Sequence, residues 1–88
     1  MYVYEEQKPW IFTEEGQVVF LKIRDRVDKL LLASGAVSMI CAISESVIDP
    51  WRGMACIDRL VELREIFEIG NSYSSAGQDR IFIRRKIK

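Results

Sequence analysis

The sequence predicts a small α+β domain, built from an N-terminal arm, three helices and a C-terminal two-stranded β-hairpin. Three observations predict it. Apolar residues recur at helical spacing from Val19 to Leu31. The dipeptide Asp49-Pro50 opens a second amphipathic segment. Beyond it, two short apolar runs flank a turn-rich stretch. With 88 residues there is room for one domain, so the division is an arm over 1–12 and a domain over 13–88.

In the arm, Met1 to Tyr4 is β-prone and Pro9 interrupts helix, so an extended segment is expected, ending in the apolar cluster Trp10-Ile11-Phe12. Thr13 is suited to cap the first helix, with Glu14 and Glu15 placed well for its dipole. Val19, Phe20, Ile23, Val27, Leu30 and Leu31 then share one face, and Gly35 offers the left-handed residue that ends the helix. Gly16 is unusual in a first turn and implies a late helix start or a close neighbour. Ala36 and Val37 form a short extended link, and a short apolar helix follows from Met39 to about Glu45. The third helix runs from Pro50 to about Leu63, with Gly53, Met54, Ile57, Leu60 and Val61 inward. Trp51, Arg52, Ala55, Asp58, Arg59 and Glu62 are expected to point outward. Residues 66–69 and 80–84 make the hairpin around the uncharged loop Gly70–Gln78, and the chain continues into the basic end RRKIK.

Composition excludes several activities. The chain has no histidine, so His-based nucleophilic triads and His-ligated metals are absent. Cys41 and Cys56 are too few and wrongly spaced for a zinc site, and both read as buried reduced thiols unless their segments pack side by side. No glycine-rich phosphate loop or nucleophile motif occurs, so neither enzyme activity nor a cofactor is expected. No apolar run has the ~18–20 residues of a membrane span. The start MYVYEEQKPW lacks the pattern of a secretion signal, so a cytoplasmic chain is expected. Lys+Arg and Asp+Glu both number 13, which speaks against a generic polyanion binder.

The order of helix, short helix, helix and hairpin over about 13–85 resembles the winged helix-turn-helix superfamily. The stretches IDRLVELREIFEI and DRIFIRR carry the resemblance. In that superfamily the third helix ends at a glycine before the first wing strand, and Arg64 holds that slot here, which implies a left-handed arginine. The resemblance implies a DNA-binding, transcription-regulator-like module. Trp51, Arg52, Ala55 and Arg59 would then enter the major groove, and Arg80, Arg84, Arg85 and Lys86 would meet phosphates. Residues 49–88 hold eight basic and six acidic groups, a weak bias toward that side. Against it, Asp58 and Glu62 share the outer helix face, and the hairpin tip from Gly70 to Gln78 has no Lys or Arg. A solvated helix with an Arg59–Glu62 pair and a charged edge strand is the plainer account.

The alternative is a protein-interaction or dimerisation module. Tyr2, Tyr4, Trp10, Phe12, Val18, Leu21 and Leu32 form more apolar and aromatic surface than a small monomer hides easily. Val18, Leu21 and Leu32 lie opposite the main stripe of the first helix. Either the arm folds over them or a second subunit does, and a homodimer is the expected assembly.

Overall fold

The computed structural model describes residues 1–43, 49–69 and 80–84. The elements are α1 (Tyr4–Ile11), α2 (Glu14–Ser34), β1 (Ala36–Ser38), α3 (Met39–Ile43), α4 (Pro50–Glu62), β2 (Phe67–Ile69) and β3 (Ile81–Ile83). The class is α+β as expected. The described residues nevertheless hold four helices and a three-stranded sheet, not three helices and a hairpin. The tip at Gly70–Gln78 and the basic residues Arg85 and Lys86 lie outside the described residues.

The extra helix is α1, in the arm expected to be extended. Glu5 and Glu6 in its first turn and Lys8 in its last match the helix dipole. Pro9 removes one internal hydrogen bond without ending the helix. So short a helix is not stable alone. It persists here because it packs along α4, with Ile11 buried in the core.

Thr13 caps α2 as predicted: its hydroxyl accepts from the Gly16 N–H at 3.0 Å and donates to the Trp10 carbonyl at 2.7 Å. A Cβ on Gly16 would lie 2.0 Å from that Trp10 carbonyl oxygen, so the glycine is where α1 abuts α2. At the other end Gly35 takes φ 79° and donates to the Leu31 carbonyl. Phe20, Ile23, Val27 and Leu31 are buried along the predicted stripe, with Val19 and Leu30 packed at its margin.

Asp49 caps α4, accepting the Trp51 N–H at 2.9 Å, and Pro50 occupies the first helical position. Met54, Ile57 and Leu60 join the core as predicted. Ala55 was expected outside and is fully buried, because α1 lies across that face. Just past the end of α4, Arg64 takes φ 61°.

Strand β3 is central: the order is β1-β3-β2, antiparallel throughout. The link at Ala36–Val37 is therefore a strand, with Val37 opposite Phe82 and Phe67 opposite Ile83. Phe82 is fully buried and belongs to the same core cluster as Ile66 and Ile57.

Candidate interaction surface

Two faces bear on function: the outer face of α4 with the sheet base beside it, and the outer face of α2. The first is occupied by the chain's own N-terminus. Tyr2 donates to Asp58 at 2.6 Å and meets Trp51 edge to face, with ring centres 6.5 Å apart. Tyr4 and Lys8 both donate to Glu62, at 2.7 and 2.8 Å. The Arg52 guanidinium lies 4.8 Å from the Trp10 ring centre and the Arg59 guanidinium 5.1 Å from that of Phe12.

Each arginine expected to touch DNA, among the described residues, already faces a carboxylate. Arg52 lies 3.5 Å from Glu15 and 3.9 Å from Asp49. Arg59 pairs with Glu62 at 2.8 Å. Arg80 holds Asp58 at 2.6 Å and Glu68 at 2.9 Å, tying α4 to both strands of the hairpin. Arg84 pairs with Asp28 of α2. Four of the interface candidates also sit on the arm: Tyr2, Tyr4 and Trp10 are half-buried against their own chain, and Phe12 stays exposed beneath Arg59.

These contacts set the local electrostatics. Burial, then the hydrogen bond to Asp58, pushes the Tyr2 phenol well above its ordinary range. Burial and the bond to Glu62 do the same for Tyr4. Hydrogen bonds from Lys8, Tyr4 and Arg59 hold the Glu62 carboxyl down to about 2. Burial of Arg80 disfavours its charge, but Asp58 and Glu68 outweigh that, and the guanidinium is held even more firmly protonated.

The second face is bare. The arm turns to α4 and not to the back of α2, so Val18 and Leu21 are each 54% exposed and Leu32 is 87% exposed. Lys22, Asp25 and Lys29 are exposed among them, and shallow grooves run beside these side chains.

Cys56 is buried, and desolvation pushes its thiol up to about 12. Cys41, also expected inside, is exposed on the outer side of α3 and unbridged. Among the described residues no group of His, Cys, Asp and Glu is placed to hold a metal, and no helix is long and apolar enough to cross a membrane.

The sequence reading passed over Lys8 and Glu68. It named Asp58 and Glu62 as acids on the outer face of α4, and the Arg59–Glu62 pair it offered is formed, but it missed that Asp58 and Glu62 also hold the arm. The equal count of basic and acidic residues was the available signal. The chain matches no family model, and no curated protein or solved structure is significantly similar to it.

Proposed function

We propose that the chain is a winged-helix domain that acts as a protein-interaction module and not as a reader of DNA. Support for the winged helix comes from the element order α2-β1-α3-α4-β2-β3 and the central position of β3, alongside the resemblance carried by residues 57–69 and 79–85. The α1 helix is then an addition at the N-terminus. Support for protein interaction comes from one observation above all: α1 lies over the face of α4 that would have to enter a groove, burying Ala55. A recognition helix needs that face open. Phosphate contacts also need uncommitted cations, and Arg59, Arg80 and Arg84 each hold a carboxylate within the chain, while Arg52 keeps only looser, exposed contacts to Glu15 and Asp49. The bare apolar stripe of α2 is the surface offered to a partner.

A salt-titrated shift assay of the full chain with random duplex DNA tests this reading. The expected result is no retention at low salt. Binding that weakens steeply with salt, and that is lost on Arg52→Ala or Arg59→Ala, would sink it.

A further inference from the structure

Building on the protein-interaction reading, we infer that α2 receives an amphipathic helix from a different protein, with carboxylates along one flank, and not a second copy of this chain. Val18, Asp25 and Leu32 follow one another at heptad intervals, with Leu21 and Asp28 at the intervening seam positions. The three aliphatics fall within a sector of about 60° and span about 21 Å of helix. That is the footprint of a packed helix, laid opposite the buried stripe.

Charge decides which helix fits. On one flank Arg24 is already taken by Glu65 at 2.9 Å, and the seam residue Asp28 beside it is taken by Arg84. On the other flank Lys22 and Lys29 stand one heptad apart. The nearest carboxylate to Lys29 is Asp25 of the same helix at 3.6 Å, and this pair is largely in water, with side chains 77% and 73% exposed. The flank therefore presents two cations in line, which a partner's Glu or Asp would meet. Asp25 interrupts the seam and calls for a basic or amide side chain opposite it, which fixes the register.

A second copy of α2 fails on the same grounds. Packed antiparallel, like flanks meet, so Lys22 of one copy faces Lys29 of the other. Packed parallel, Asp25 faces Asp25 across the seam. Both arrangements set like charges against each other beside Val18, Leu21 and Leu32, the residues that would drive contact.

The test uses the full chain and two synthetic peptides of about 20 residues, the length of a stable helix. Both carry a leucine seam with one lysine placed against Asp25. One has glutamates on the flank facing Lys22 and Lys29, and the other has lysines there. Fluorescence anisotropy should show the glutamate peptide binding about tenfold or more tightly than the lysine peptide. Leu21→Glu should abolish this binding. The double variant Lys22→Glu with Lys29→Glu should reverse the preference. All three substitutions lie on exposed positions, and circular dichroism checks that the fold is kept. Equal binding of both peptides, binding of neither, or an unreversed preference overturns the inference. So does a dimer of the chain alone, seen by sedimentation and dissolved by Leu21→Glu, although that outcome leaves the protein-interaction reading standing. Salt-dependent duplex binding overturns the reading itself.

Discussion

Arg64 sits at φ 61°, where a side chain crowds the backbone and glycine does not. Replacing it, Arg64→Gly, should stabilise the fold by about 1 kcal/mol, the strain relief being partly offset by a freer unfolded chain. A urea titration measures this, and unchanged or lower stability would refute it. Gly16 is the opposite case. Gly16→Ala forces a methyl group onto the Trp10 carbonyl and should destabilise by about 1–3 kcal/mol, as overpacking does. The half-buried phenols of Tyr2 and Tyr4 add a pH dependence. Tyr2 and Tyr4 have raised pKa values in the fold, so their contribution is complete below the unfolded value near 10 and is lost as pH rises above it. Alkaline titration should show stability falling from about pH 10, with a shallower slope in Tyr2→Phe. At this scale the caps were legible: Thr13, Gly35, Asp49 and Pro50 are local devices whose partners lie within a turn. Ala55 was not, because a small side chain on an outer helix face carries no sign of what will cover it.

Among elements, α1 shows where local propensity loses to packing. Val3, Tyr4 and Pro9 argue against helix one residue at a time, while Ile11, the aromatic rings and the Lys8–Glu62 ion pair to α4 outweigh them together. That competition is nonlocal, and the sequence displays only one side of it. The docking of α1 depends on Glu62, whose carboxyl is held at about 2 against an ordinary 4.5. Its stabilisation is present above 4.5 and is lost as pH falls toward 2. Acid should therefore loosen α1 first, read as a change in the emission of Trp10 and Trp51. Glu62→Gln should flatten that transition, and an unchanged acid midpoint would count against the role given to Glu62. At Ala36–Val37 the extended backbone was legible, but not that it joins the sheet. Three residues carry too little periodicity to announce a strand, and only its pairing with β3 makes it one.

For the whole molecule, the hydrophobic pattern was enough to predict the class, the two long helices and the hairpin. Charge was read less well, since composition counts ions without pairing them. Among the described residues, part of the balance of acids and bases takes the form of specific bonds that join distant segments: Lys8 to Glu62, Arg24 to Glu65, Arg84 to Asp28, and Arg80 to both Asp58 and Glu68. Arg80 is the member with the most at stake. Arg80→Met would leave Asp58, already hydrogen-bonded by Tyr2, without its cation, and should destabilise by about 2–4 kcal/mol. A thermal melt checks this, and a loss under about 1 kcal/mol would show the cluster to be solvated and weak.

The middle position of β3 also bears on synthesis. During translation Ala36–Ser38 and Phe67–Ile69 both wait for a strand that leaves the ribosome after them. The helices can gather early, but the sheet has no nucleus until residues 81–83 emerge, so closure is one late, long-range event. A nascent chain halted before Ile81 would expose Val37 and Ile66 to chaperones, and release of a few more residues would hide both at once.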